Sequence, residues 1–189
     1  MRSGILLKHF IFMEIYLVRH TETICEKGIC YGQSDVDIAV PFDEIFDRII
    51  SELPSEAIIF SSPLKRCVIL AKHIRENIKA ISYQEDERLK EMNFGDWELK
   101  SWNEIPSEEL NPWMEDFVNI KVSNGESFVE LHERVGQFLS EAISTTNHPI
   151  IIVAHAGIIR SILCHQSSLP LRDAFNNKVD FGQVIKIDF

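Results

Sequence analysis

The stretch EIYLVRHTET, residues 14–23, decides the fold. It begins with a short apolar run typical of a buried parallel strand, and the run ends on a cation, Arg19, and an imidazole, His20. A second run, PIIIVA at 149–154, ends in the same way on His155. Because a histidine follows each of these two strands, we predict that His20 and His155 lie at the edge of the sheet where the strands end.

The rest of the chain alternates between strand-like and helix-like patterns. Residues 87–102 lack clean periodicity and are predicted to form a loop. This alternation predicts an α/β fold of three layers, in which helices cover both faces of a mostly parallel sheet. The further predicted strands are 57–60, 80–84 and 183–189, and the predicted helices are 41–53, 61–77, 108–120, 127–144 and 157–166.

Two of the predicted helices carry start signals. Pro41 is expected at the first helical position of 41–53. In the helix that follows residues 57–60, Ser62 is expected to be the cap and Pro63 the first helical residue. Helix N-termini near Ser62 and Gly157 would then offer backbone N–H groups to an anion.

Length and composition favour a single domain. The chain has 189 residues, and 13–189 are read as the domain, with 1–12 as an N-terminal extension before a second candidate start at Met13. An inserted lid is expected at about 92–125. Its tryptophans are expected to pack in the core of the insertion, although stacking on a substrate base is an alternative; they are Trp97, Trp102 and Trp113.

Charge and cysteine usage exclude several classes of protein. The net charge of −10 argues against a binder of nucleic acid or of anionic membranes, and no run of 18 apolar residues predicts a membrane span. The four cysteines lack zinc-ligand spacing, so free thiols in a reducing cytosol are favoured over a Cys25–Cys30 pair. We therefore expect a cytoplasmic protein; a homodimer is left open.

The residues that follow the strands indicate phosphoryl chemistry. Arg19 and Arg66 would present planar forks that match phosphate oxygens. One imidazole, His20 or His155, would act as nucleophile, and the other, if protonated, would stabilise charge on the transferring group. Such a mechanism also needs an acid for the leaving oxygen.

Four ordered motifs carry a family resemblance: LVRHTET, SSPLKRC, EMNFGDWE and VAHAG. With them the chain resembles the histidine phosphatase superfamily, which has the phosphoglycerate-mutase-like fold. The resemblance implies that His20 accepts the phosphoryl group and that Glu91 is the proton donor. It assigns Arg19, Arg66 and His155 to the phosphate pocket, and it implies no metal and no cofactor.

The resemblance also bears on the substrate. GICYGQSDVDI and NFGDWE look most like the α-ribazole phosphatase branch of cobalamin assembly, which implies a small phosphorylated substrate such as α-ribazole 5'-phosphate. Alternatives are a phosphatase of broad specificity, an enzyme similar to phosphoglycerate mutase, and a non-catalytic phosphate-binding module. Further substrate contacts are expected from Thr21, Gly32, Gln33 and Ala156.

Two positions depart from the family pattern. Thr21 stands where the family prefers glycine, and we expect its hydroxyl to be tolerated near phosphate. Glu26 stands where mutase-type members commonly have asparagine, and a carboxylate facing phosphate would be repulsive. The sequence therefore favours hydrolysis over mutase activity.

The His-x-Glu at 20–22 lacks the Pro-Cys-x-x-Cys of zinc deaminases, so that class is rejected.

Overall fold

The computed structural model describes residues 13–144 and 146–189, so the expected extension at 1–12 lies outside the described residues. In chain order its strands and α-helices are β1 Glu14–Arg19, β2 Ile29–Cys30, α1 Asp43–Ser51, β3 Glu56–Ser61, α2 Lys65–Asn77, β4 Lys79–Glu85, β5 Lys100–Ser101, α3 Ser107–Glu115, α4 Phe128–Ser144, β6 Ile150–Ala154, α5 Ala156–Ser167 and β7 Val184–Asp188.

The main sheet has the strand order β4-β3-β6-β1-β7. Strands β1, β3, β4 and β6 are parallel, and β7 pairs antiparallel with β1. A separate two-stranded sheet joins β2 to β5. The predicted α/β architecture with a mostly parallel sheet is confirmed.

Side chains of the central strands feed a core on each face of the sheet. In β1, Ile15 and Leu17 join the cluster that contains the apolar side chains of α4 and α5. Tyr16 and Val18 point the other way, into the cluster formed with α1 and α2. All of β6 is buried. Burial on both faces explains why these strands appear in the sequence as continuous apolar runs.

The predicted starts of two helices are wrong. Helix α1 begins at Asp43, so Pro41 lies outside it. Helix α2 begins at Lys65, because Leu64 has the extended backbone angles φ −68° and ψ 136°. Ser62 is not a helix cap, although its hydroxyl accepts a bond of 3.3 Å from the N–H of Leu64.

The segment at 92–125 packs onto the core shared with α4 and α5. Trp97 and Trp113 are buried there, and Trp102 stacks on Trp113 with ring centroids 5.9 Å apart, so core packing of these side chains is confirmed. Helix α3 ends at Glu115, several residues before the predicted end. Residues 87–102, predicted as a loop, carry two short 3₁₀ helices and β5, and a third 3₁₀ helix begins at Trp102.

Two features of composition have structural counterparts. All four cysteines are free thiols, as favoured from the sequence. In the described part of the chain, no helix combines the length and apolarity that crossing a bilayer requires.

Candidate active site

The carboxyl ends of β1, β3 and β6 bring the predicted site residues together. The N–H of His20 donates to the carbonyl of Ala154 at 3.1 Å, which fixes the end of β1 against the end of β6. The rings of His20 and His155 therefore lie edge to face with centroids 5.1 Å apart. Nε of Arg66, in the first turn of α2, lies 3.4 Å from Nδ1 of His155.

His20 is held as a neutral imidazole with a defined tautomer. Its Nδ1 lies 2.7 Å from the carbonyl oxygen of Thr21, and a carbonyl can only accept, so Nδ1 carries the proton. Burial, followed by the charge of Arg66, lowers the pKa of His20 to about 3. At neutral pH its Nε2 therefore carries a free lone pair, as a nucleophile requires.

His155 is also neutral in the ligand-free site. Burial lowers its pKa well below the usual value, and the neighbouring His20 and Arg66 act in the same direction. Because Arg66 can only donate to Nδ1, the proton lies on Nε2, which donates to the hydroxyl of Ser62 at 2.8 Å. His155 can therefore act as a cation only when the negative charge of a bound ligand raises the pKa of its imidazole.

Arg66 is completely buried and is oriented by a loop of the chain. Its terminal nitrogens donate to the carbonyl oxygens of Gly32 at 2.6 Å and of Ser34 at 2.8 Å. Gly32 adopts φ +39°, and a Cβ there would clash with the carboxylate of Glu98, so the loop requires glycine. These contacts use three N–H groups of Arg66 and leave the others for an anion.

Arg19 directly precedes His20 at the end of β1, and its charge, like that of Arg66, lowers the pKa of His20. It donates to the carbonyl of Val179 at 2.7 Å and lies over the ring of Phe181, 3.6 Å from its centroid. Its Nε and the hydroxyl of Thr21 are buried without a hydrogen-bond partner among the described residues. Both groups lie next to His20 in the chain, so the site contains unused polar groups beside the candidate nucleophile.

Glu91 is placed at the N-terminus of α5. Its carboxylate accepts from the N–H of Gly157 at 3.1 Å and from that of Met92 at 3.0 Å. A Cβ on Gly157 would clash with this carboxylate. The backbone carbonyl of Glu91 accepts from the side chains of Gln33 at 2.9 Å and Arg134 at 3.1 Å. Gln33 thus supports the candidate acid.

At each of the two helix N-termini, one N–H group is taken by a nearby carboxylate. Gly157 donates to Glu91, and the N–H of Lys65 at the start of α2 donates to Asp35 at 2.8 Å. The expectation overlooked that nearby carboxylates take these donors in the ligand-free site. Ala156, the first residue of α5, is buried beside His155.

Two residues of the site lie inside the quoted motifs but were not expected to act there. Ser62, expected as a helix cap, is instead the partner of His155. Glu98 accepts from the N–H groups of Gln33 and Phe94 and from the hydroxyl of Ser34, which ties the Arg66 loop to the segment after Glu91. The only available signal for Glu98 was its place at the end of NFGDWE.

A cavity of about 280 Å³ lies beside the arginines. Tyr31 and Phe181 line it, and the guanidinium of Arg66 lies 5.1 Å from the Tyr31 ring centroid. Glu22, Glu26 and Lys27 add charged groups, and the other lining residues are Thr23, Cys25, Gly28 and Ile29. Phe181 links the cavity to Arg19, so the cavity adjoins the candidate phosphate site.

Comparison with known families identifies the class of protein. The model of the histidine phosphatase superfamily, branch 1, matches residues 15–189. The chain therefore belongs to this superfamily, and its enzyme class is phosphoric monoester hydrolase.

The chain is similar to several curated proteins and solved structures. A Hydrogenobacter thermophilus protein named as a candidate phosphoserine phosphatase 2 is 32% identical, with 92% of this chain and 88% of that protein covered. The adenosylcobalamin/α-ribazole phosphatase of Salmonella typhimurium is 27% identical, with 93% and 90% covered. The crystal structure of the α-ribazole phosphatase from Shigella flexneri superposes with a TM-score of 0.84 at 23% identity, covering 93% and 90%.

Proposed function

We propose that the protein hydrolyses small phosphate monoesters through a phosphohistidine on His20, without a metal ion. One observation carries the proposal: a neutral imidazole with a free Nε2 lies near two arginines whose charges act on it and whose remaining N–H groups can bind phosphate oxygens.

The proposed reaction has two steps. In the first, Nε2 of His20 attacks phosphorus, the ester P–O bond breaks, and Glu91 gives its proton to the leaving oxygen. In the second, Glu91 takes a proton from water, the water oxygen attacks phosphorus, and the P–N bond breaks to release inorganic phosphate. Arg19 and Arg66 stabilise the charge on the transferring group in both steps.

We propose α-ribazole 5'-phosphate as the substrate. Support comes from α-ribazole phosphatases that are 27% and 24% identical to the chain. The rings of Tyr31 and Phe181 in the neighbouring cavity would pack against a flat apolar base.

O-Phosphoserine is the second candidate substrate. Phosphoserine-phosphatase relatives are 32% and 28% identical, the former named only as a candidate. The same cavity carries Glu22 and Glu26, which would pair with an ammonium group, and Lys27, which would pair with a carboxylate.

A phosphoglycerate-mutase-like activity has less support, because Glu26 adds negative charge where that reaction would place an acidic ligand.

A panel of phosphate esters tests both the chemistry and the substrate. It contains α-ribazole 5'-phosphate, O-phosphoserine, 3-phosphoglycerate and p-nitrophenyl phosphate, each assayed with and without excess EDTA. We expect the highest kcat/KM for α-ribazole 5'-phosphate, no loss in EDTA, and an acid-labile phosphoryl group trapped on His20 by rapid quench.

The control is His20→Gln, which should neither turn over nor trap phosphate. Turnover that survives in this variant would contradict the phosphohistidine mechanism. A wild-type protein that binds phosphate but forms no phosphohistidine would instead be a non-catalytic phosphate-binding module. A higher kcat/KM for O-phosphoserine would replace the proposed substrate and leave the mechanism standing.

A further inference from the structure

Arg160 lies one turn into α5 and is not among the residues expected to act in the reaction. Its Nε donates to the carbonyl of Asn177 at 3.1 Å, and its guanidinium lies 4.7 Å from the ring centroid of Phe175. The side chain is half-buried. Burial lowers its pKa, while the charge of Glu91 raises it, so this cation lies in the neighbourhood of the candidate acid.

Arg19 makes the same pair of contacts further along the same stretch of chain. It donates to the carbonyl of Val179 and lies over the ring of Phe181. Residues 175–181, which we call the closing segment, are therefore held by two arginines, each through one carbonyl and one ring. Arg160 holds the beginning of the segment, and Arg19 holds its end.

The end of the closing segment forms a wall of the candidate site. The ring of Phe181 lies 5.5 Å from that of His20, centroid to centroid. The next residue, Gly182, donates its N–H to the carbonyl of His20 at 3.1 Å. A shift of the segment would therefore move both the surface on which Arg19 rests and the neighbour of the nucleophile.

The beginning of the segment lies at the surface, directly after the buried Ala174. Phe175 is 53% exposed, and its ring meets Phe117 edge to face at 4.8 Å. Ala174 belongs to the core cluster that contains the apolar side chains of α5, and the hydrogen bond and cation–π contact from Arg160 add a second attachment to α5 at Asn177 and Phe175.

We infer that Arg160 is a positioning residue that holds the closing segment so that Phe181 and the Val179 carbonyl keep Arg19 beside His20. The inference rests on the proposed function, because it assigns Arg160 a task in phosphate binding and turnover. Arg160 acts through the segment and is not assigned a contact with substrate.

Three variants test the inference. Arg160→Met keeps the aliphatic length but removes the N–H donors and the charge. Arg160→Lys restores a charge and N–H donors but lacks the planar guanidinium that stacks on Phe175 while its Nε donates to Asn177. Arg75→Met is the control, because Arg75 also lies over a ring, that of Tyr83, but on α2 beside β4. We expect Arg160→Met to lower kcat by roughly 10- to 100-fold, since small displacements of catalytic groups have effects of this size. Arg160→Lys should stay impaired, and Arg75→Met should match the wild type.

Kinetics and exchange measurements separate positioning from a loss of folded protein. Rates are normalised to the amount of phosphohistidine formed in the first turnover, and the inhibition constant of inorganic phosphate should rise in Arg160→Met. Amide hydrogen exchange over residues 175–183 should accelerate in Arg160→Met and not in Arg75→Met. In the double variant Phe181→Leu/Arg160→Met, the loss of kcat should differ from the sum of the losses, as free energies, in the two single variants.

Three outcomes would overturn the inference: full rescue by lysine, unchanged normalised kcat and phosphate inhibition in Arg160→Met, or unchanged exchange of the segment. The exchange measurement and the binding of inorganic phosphate, followed by calorimetry, do not need turnover. If the wild type fails to form phosphohistidine, the proposed function fails, and these two measurements still decide whether Arg160 positions the segment.

Discussion

At the scale of single residues, one backbone carbonyl decides the chemistry of His20. Because the carbonyl of Thr21 accepts from Nδ1, the lone pair lies on Nε2 in the ligand-free protein. Thr21 contributes this carbonyl whatever its side chain is, and its φ is not positive. Because the backbone at this position does not require glycine, threonine can replace the glycine that the family prefers.

Arg66 gives the first prediction at this scale. Arg66→Met should raise the barrier by about 2 to 4 kcal/mol, as expected for the loss of one preorganised charged donor. The variant also leaves the carbonyls of Gly32 and Ser34 without their donor, so it should unfold at lower urea concentration than the wild type. Steady-state kcat/KM and urea denaturation measure the two effects.

Gly157 gives the second prediction. In Gly157→Ala the new Cβ would displace the carboxylate of Glu91. Hydrolysis of alkyl phosphates, whose leaving oxygen needs a proton, should fall by roughly 10²- to 10⁴-fold, the usual contribution of a general acid. Release of p-nitrophenolate in the first turnover should fall much less, because nitrophenolate departs without a proton, whereas the second step, in which Glu91 activates water, slows for both substrates alike.

The matched control for Gly157→Ala is Glu91→Gln, which removes the acid and keeps the backbone. Both variants should show the same dependence on the leaving group. An equal loss of the first-turnover rate for both kinds of substrate would mean that Glu91 does not protonate the leaving oxygen.

At the scale of elements, Glu98 joins two loops that carry the site. It holds Gln33 and Ser34 in the loop that orients Arg66, and Phe94 in the segment that follows Glu91. In Glu98→Ala these three part-buried donors lose their acceptor, and a hydrogen bond of this kind contributes about 0.5 to 1.5 kcal/mol. We therefore expect a clear loss of stability together with lower activity.

Urea denaturation and kcat/KM measure these effects of Glu98→Ala. Glu104→Ala is the control, since Glu104 caps an exposed turn by accepting from the N–H of Ser101. Comparable losses in the two variants would show that the junction formed by Glu98 has no special role.

Strands were easier to predict than helix starts, for a physical reason. The buried strands are apolar on both faces, a pattern that depends only on the local sequence. The start of α2 depends instead on the turn that lets Ser62 reach His155, a contact between residues 93 positions apart. Capping rules apply to the local chain and do not include such a partner.

At the scale of the whole molecule, buried neutral histidines make stability depend on pH. Unfolded His20 binds a proton near pH 6.5, whereas the folded pKa is about 3. The unfolded state therefore binds more protons between these values, and the free energy of unfolding falls as pH drops from about 6.5 towards 3. His155, whose pKa is also lowered, adds to the same slope.

Urea denaturation at several pH values measures this slope. His20→Asn should reduce it by about 1.4 kcal/mol per pH unit, the value for one proton. Asn147→Ala, a change at an exposed side chain that does not titrate, is the control and should leave the slope unchanged. An unchanged slope in His20→Asn would mean that this histidine takes up its proton equally in both states.

The sequence predicted which site residues meet, but not how they are held. His20, Arg66 and His155 follow strands whose carboxyl ends lie together in a parallel sheet, so their convergence follows from topology. The roles of Val179 and Phe181 depend on β7 adding to the edge of the sheet antiparallel to β1. No local pattern in the sequence specifies that pairing.

The pairing of β7 with β1 has a consequence for how the chain acquires activity. Arg19 meets Val179 across 160 positions, and the N–H of Arg19 donates to the carbonyl of Gln183 at 3.1 Å. Contacts of such sequence separation close the longest loops and form late in folding. A nascent or partly folded chain with β1, β3 and β6 in place would already hold His20 beside His155. It would still lack the contacts of Arg19 with Val179 and Phe181. Phosphate affinity should therefore appear only in the final folding step, which makes inorganic phosphate a reporter of complete folding.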